Sequence, residues 1–238
     1  MKRLHFIRDS SKVRFMSKPM SPPPLSHACG SKSAGRPKAS EVEARTQELI
    51  QAAAGLFLKH GYTKVSLEAI AREARVAVRT IYVKFGGKAG LLKAALASRR
   101  ERFFPAGSME EDTRPVREAL DDFAHVFSVL LCEPEAVALQ RVVIAESGSN
   151  PELAEAFYEA GPRLTREMLT RYFSRPEVRA QLREGLPYEM LPAYLIGCIS
   201  GDPIGRFLFP EQEPCGEEAR NLLAQRMELF YHSVLKHP

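Results

Sequence analysis

The 238-residue chain is long enough for one or two domains with real cores, and its 45 % hydrophobic and 26 % charged residues are ordinary for a globular protein. Its most apolar stretches, such as residues 191–199, fall far short of the roughly 20 residues a bilayer-spanning helix needs, which argues against a membrane protein. The net charge of +5 is unevenly spread: residues 1–34 carry seven Lys/Arg against one Asp, residues 35–100 thirteen against five acids, and residues 101–238 fourteen against twenty-three, so a polyanion-binding end is joined to an acidic remainder.

Residues 1–34 have no sustained hydrophobic period and contain Ser21-Pro22-Pro23-Pro24; with the following linker they read as a disordered basic extension, residues 1–40. They are basic and acid-poor, as organelle transit peptides are, but lack the apolar run of a secretion signal, and Met16 and Met20 leave later starts open. In Gly35-Arg36-Pro37-Lys38, Arg36 and Lys38 can form an arm that enters an A·T-rich minor groove; the plain alternative is a solvated linker.

From Glu41 the pattern is helical. Leu49, Ala53, Leu56 and Phe57 share one face of a helix over 41–60 that Gly61 ends. Ser66 suits the N-cap of a short helix whose Leu67, Ile70, Ala71 and Ala74 fall at i, i+3, i+4 and i+7. After a short break a third helix spans 77–85, with Val78, Ile81, Tyr82 and Phe85 repeating that spacing up to Gly86-Gly87. A fourth helix runs from Lys88 to about Phe104, ahead of Pro105. Beyond it the expected helices are 114–131, 134–147, 150–174 with Asn150 as N-cap, 187–208 with a break at Gly201-Asp202-Pro203, and 216–235. No segment alternates like a strand, so the chain reads as all-α. Cys29, Cys132, Cys198 and Cys215 show no CxxC pair and no metal-ligand spacing; Cys132 and Cys198, among apolar neighbours, read as small core residues, with no metal and no cofactor expected.

Two short helices with one apolar face each cannot stand alone and must pack on the first helix. The outer face of the second short helix is then free to enter a major groove. Ala77, Arg79, Thr80, Val83 and Lys84 lie on it. Arg79 can reach guanine edges, Thr80 a base or a phosphate, and Val78 a thymine methyl if it does not face the core. Tyr82, Lys84 and Lys88 suit phosphates, and the helix starts beside Ser66 and Lys88 offer backbone N–H groups to anions.

The stretch Phe57-x3-Gly61-Tyr62-x3-Ser66-x3-Ile70-Ala71-x2-Ala74-x-Val76-x3-Thr80-Ile81-Tyr82-x2-Phe85-x2-Lys88-x2-Leu91-Leu92 resembles the N-terminal domain of the TetR family of repressors. The resemblance implies a helix-turn-helix DNA-binding domain over residues 41–95 and a helical effector-binding and dimerisation domain over 96–238. It also implies a homodimer, a palindromic operator, a small-molecule effector, repression, and a place in the bacterial cytoplasm on the nucleoid. By that resemblance Ser66, Thr80, Tyr82, Lys84 and Lys88 meet phosphates, while Val78, Arg79 and Tyr82 read bases. The remainder resembles the subgroup with an AefR-like C-terminal region through Gln140-Arg141-Val142-Val143-Ile144-Ala145-Glu146 and Pro151-Glu152-Leu153-Ala154-x2-Phe157-Tyr158. Two positions depart from the family pattern: Arg75 where the turn usually has Gly, and Ala77 where a capping Ser or Thr opens the recognition helix.

In the acidic part, no phosphate loop, nucleophile elbow or HExxH occurs, so no enzyme chemistry is expected. His125, Arg141 and Glu146 interrupt apolar stretches; they are either rim residues and ion pairs or, with Phe127, Tyr158 and Tyr172, the lining of an effector pocket. Leu195, Ile199, Leu223, Met227 and Phe230 on the last helices are expected at a four-helix dimer interface, as the resemblance also implies. The competing functions are an architectural nucleic-acid binder without an effector, and a helical enzyme or lipid-binding module that happens to carry a helix-turn-helix.

Overall fold

A computed structural model describes residues 39–105, 109–212 and 216–237, and the proposed arm residues Arg36 and Lys38, with Cys29 and Cys215, lie outside them. The first helix, α1 (Ala39–His60), ends where Gly61 takes a left-handed φ of +80°. The next, α2 (Leu67–Glu73), is capped by Ser66, whose Oγ accepts from the Ala69 N–H at 3.1 Å. The recognition helix α3 (Val78–Phe85) ends on Gly86 at φ +74°, and α4 (Lys88–Phe103) follows at once. Leu49, Ala53, Phe57, Tyr62, Ile70, Ile81, Leu91 and Leu92 are all buried in one cluster, so the four helices share a core.

The remaining helices are α5 (Val116–Cys132), α6 (Pro134–Glu146), α7 (Pro151–Tyr158), α8 (Leu164–Ser174), the single turn α9 (Pro176–Arg179), α10 (Leu191–Ser200), α11 (Pro203–Leu208) and α12 (Gly216–Val234). A second cluster centres on Leu120, Phe123, Leu169, Tyr172, Leu195, Ile199, Phe230 and Tyr231. The two clusters are not separated by a linker: Val143 of α6 and Leu153 and Ala156 of α7 are buried in the first. Among the described residues there is no extended strand, only an isolated bridge between Leu182 and Leu235.

Three details differ from the sequence-based expectation. The expected helix over 150–174 contains a π-turn at Glu159–Arg163, between α7 and α8. Pro162 lies inside it; having no N–H and a ring that crowds the preceding carbonyls, it forces a wider turn. Asn150 does not cap α7 with its side chain; its Nδ2 donates instead to the Thr63 hydroxyl at 2.9 Å and to the Glu146 carbonyl at 3.2 Å. Cys132 is exposed, not a core residue, whereas Cys198 packs against the second cluster.

Candidate nucleic-acid interface and effector cavity

The turn between α2 and α3 fixes the recognition helix. Val76 N–H donates to the Ala71 carbonyl at 2.9 Å and Arg75 N–H to the Arg72 carbonyl at 3.3 Å, the paired bonds of a Schellman motif. The residue at its left-handed position is Arg75, with φ +54°, the only non-glycine residue with positive φ among those described. Ala77 opens α3 without a side-chain cap. Arg75→Gly should therefore stabilise the fold by about 1 kcal/mol, the cost of placing a Cβ in the left-handed region. Denaturant unfolding reads that gain, and the slope of DNA affinity against salt reads whether the exposed Arg75 cation also meets a phosphate: a flatter slope in the variant means that it does.

Ile81 is fully buried, and Val78 and Phe85 pack beside it. Val78 thus faces the core more than a groove, and it is Tyr82 (57 % exposed) and Val83 (75 %) that project outward with Arg79 and Thr80. Tyr82 shares the apolar spacing but lies on the solvent side. Three of the five expected phosphate ligands, Ser66, Lys84 and Lys88, have partners within the chain. The Ser66 hydroxyl caps α2, and Lys84 donates to the Thr46 hydroxyl of α1. The Lys88 ammonium donates to the Tyr62 carbonyl at 3.0 Å and stands 4.5 Å from the centre of the Tyr62 ring. Each ammonium has three N–H groups, so a phosphate contact uses those that the protein leaves.

A cavity of about 230 Å³ lies where α4, α5, α6, α10 and the α7–α8 junction meet. Of the six residues expected in an effector pocket, only Phe127 lines it. Tyr172 is sealed in the second core, where burial, with Asp112 nearby, pushes its hydroxyl up to about 12. Arg141 is exposed, Tyr158 lies on a shallow outer surface, and His125 lines a separate groove of about 610 Å³ beside α10–α12. Glu146 binds the α1–α2 turn. Leu195, Ile199, Leu223, Met227 and Phe230 are likewise internal, at most 8 % exposed, so they hold α10 and α12 onto their own chain and do not present a dimer face. Helices α10 and α12 expose Tyr194, Leu222 and Leu229, and the intervening α11 and the residue after it expose Ile204, Leu208 and Phe209.

The cavity residues missed from the sequence are Arg99 and Arg100. A signal was present: Leu92, Leu96, Arg99, Arg100 and Phe103 recur at spacings of three and four along α4, which puts both arginines on its inward face. Arg99 pairs with Glu133 and, at 3.4 Å, with Glu135. Arg100 forms no ion pair among the described residues; its Nη2 lies 3.7 Å from the Met168 sulfur and its buried Nε has no hydrogen-bond partner.

A helix-turn-helix held on a helical body, with a cationic outer face and an internal cavity behind it, defines a DNA-binding regulator. The model for the bacterial regulatory proteins of the tetR family matches residues 49–95, and that for the C-terminal domain of AefR-like transcriptional repressors matches residues 118–187. The HTH-type transcriptional regulator SrpR of Pseudomonas putida is 35 % identical over 94 residues, 38 % of this chain and 44 % of SrpR. The uncharacterized HTH-type regulator TtgW of the same species is 34 % identical over 94 residues, 38 % of this chain and 70 % of TtgW. Among solved structures, the flavonoid-responsive regulator FrrA superposes with a TM-score of 0.63 at 25 % identity, covering 82 % of this chain and all of FrrA. The chain belongs to the TetR family of transcriptional regulators. It is a DNA-binding regulator and not an enzyme. No described helix is long and apolar enough to cross a membrane.

Proposed function

We propose that the protein is a homodimeric repressor of the bacterial cytoplasm and nucleoid, released from a palindromic operator by a small molecule. The observation that carries this reading is α4, a single helix that serves both sites. Leu91 and Leu92 are buried with the recognition helix, while Leu96, Arg99 and Arg100, about two turns on, line the cavity. A ligand that shifts α4 therefore shifts the frame on which α3 sits, and its differential affinity for the two arrangements sets the response. FrrA is named as flavonoid-responsive, which supports a ligand role for this fold.

In the working assignment residues 41–95 bind DNA and residues 96–238 bind the effector and a second copy. Arg79 and Tyr82 read bases, with Thr80 and the exposed part of Val78 at the helix start. Ser66, Thr80, Tyr82, Lys84 and Lys88 track phosphates, and Arg36 and Lys38 extend into the minor groove. The exposed Tyr194, Leu222 and Leu229 supply the apolar surface for the partner copy.

Selecting bound sequences from random DNA tests the DNA half. Enriched palindromes with half-sites about one helical turn apart, or a multiple of it, are expected. Arg79→Ala should cost about 1–3 kcal/mol and relax one position of each half-site. Binding without enrichment, falling steeply with salt, would establish the architectural alternative instead.

A further inference from the structure

The cavity behind α4 is apolar over most of its wall, with Phe127, Leu130, Leu139, Phe157 and Ile196 among its lining. Its charge is one-sided. Arg99 and Arg100 enter from α4 and Arg166 stands at the rim, whereas Glu133 and Glu135 both engage Arg99. Glu110, an acid from another segment whose charge acts on Arg100, is held by Arg171 at 2.7 Å. Arg100 thus keeps a half-buried guanidinium with no direct ion pair among the described residues; a methionine sulfur and, 6.0 Å away, the Phe104 ring are its contacts. Glu101 and Glu110 favour its charge from beyond ion-pair distance, and Arg171 opposes it. A desolvated cation without a directly bonded counter-ion is unfavourable, and here burial outweighs those two acids and pulls the guanidinium below its ordinary range. An anion brought by a ligand removes that penalty, and a guanidinium offers two parallel N–H groups to a carboxylate.

We infer that this cavity takes a compact organic carboxylate, its head on Arg100 and its apolar body against Phe127, Leu139 and Phe157. The inference rests on the effector reading above and names its ligand class. At about 230 Å³ the space is below the roughly 300–1,000 Å³ of drug-sized pockets, which suits a single aromatic ring or a medium alkyl chain. A cationic ligand would meet uncompensated like charge, and a neutral one would leave Arg100 unpaired.

The test is calorimetric titration of the full-length protein with two matched series: benzoate, benzyl alcohol and benzylamine, and octanoate, octanol and octylamine. In at least one series the carboxylate should bind about tenfold or more tighter than the alcohol, and the amine not measurably, the difference expected of one charge-assisted hydrogen-bonded pair. Arg100→Met should bring the carboxylate down to the affinity of the alcohol while leaving the alcohol unchanged. Equal binding of acid and alcohol, preference for the amine, or no binding in either series overturns the inference, and the head-group comparison on the unaltered protein stands even if Arg100→Met fails to fold. Release of selected DNA separates the two readings. A carboxylate that binds through Arg100 without releasing DNA overturns the effector reading alone, whereas an alcohol or amine that releases DNA as well as the acid overturns the carboxylate inference alone.

Discussion

Ile81→Ala is expected to destabilise the protein by about 2–5 kcal/mol, the range for removing most of a buried aliphatic side chain and leaving a cavity. It should also abolish discrimination between operator and random DNA. Ile81 is fully buried, yet it belongs to a helix of only eight residues. Such a helix has little intrinsic stability and takes its order from the face it buries. Its start carries no side-chain cap, and the turn before it holds Arg75 in a left-handed conformation, so its N-terminal end does not compensate for a lost anchor. Val83, on the same helix but 75 % exposed, is the control: Val83→Ala should change stability by no more than about 0.5 kcal/mol. Urea unfolding gives the first quantity, and competition between selected and random DNA the second. Full selectivity in Ile81→Ala would mean that the recognition helix does not depend on its core contact.

The helix-turn-helix was legible because its signals are local. Ser66, Gly61 and Gly86 act on the backbone within a few residues of themselves, and the expected departure at Arg75 appears as a positive φ at that residue. The second domain was less legible because its faces are assigned by partners distant in sequence. Helix α10 is apolar nearly all round, so spacing alone gives no reason to choose between Leu195 and Tyr194 as the outward residue; packing against α5, α8 and α12 buries the former and leaves the latter 44 % exposed. His125 and Arg141 interrupt apolar runs, but a run wide enough to cover more than half a helix also reaches its solvent side. Arg99 and Arg100 escaped because paired arginines near the end of a helix ordinarily favour its dipole and point to water. Their inward direction follows from the stripe they continue, which crosses from one core to the other.

Glu146 carries the second large effect. It is the last residue of α6, and its carboxylate accepts from the Tyr62 N–H at 3.1 Å, the Thr63 N–H at 2.7 Å and the Thr63 hydroxyl at 2.5 Å. Those three donors belong to the α1–α2 turn, so this side chain ties the second domain to the helix-turn-helix. Burial pushes its carboxyl up, but the Thr63 and Tyr62 hydrogen bonds and the Lys88 charge outweigh burial and hold it below the ordinary 4.5. A depressed folded-state value means stabilisation that is fully present above pH 4.5 and lost as pH falls through the folded value. Glu146→Gln should therefore cost about 1–3 kcal/mol at neutral pH, since an amide turns a donor toward donors, and the deficit should narrow as the medium is acidified below 4.5. Unfolding curves between neutral and acid pH measure it; a deficit independent of pH would show that the carboxylate charge is irrelevant. Gly61 supplies a separate check. A Cβ built there would stand 2.5 Å from the Glu146 Oε1, and its φ of +80° already disfavours any side chain. Gly61→Ala in the unaltered protein then combines backbone strain with displacement of the carboxylate. In an Glu146→Ala background only the backbone part, about 1 kcal/mol, is left. The difference between the two penalties is the coupling between the turn and the Glu146 carboxylate, and a value near zero would mean that the domains are joined by α4 and by the packing of α6 and α7, not by this side chain.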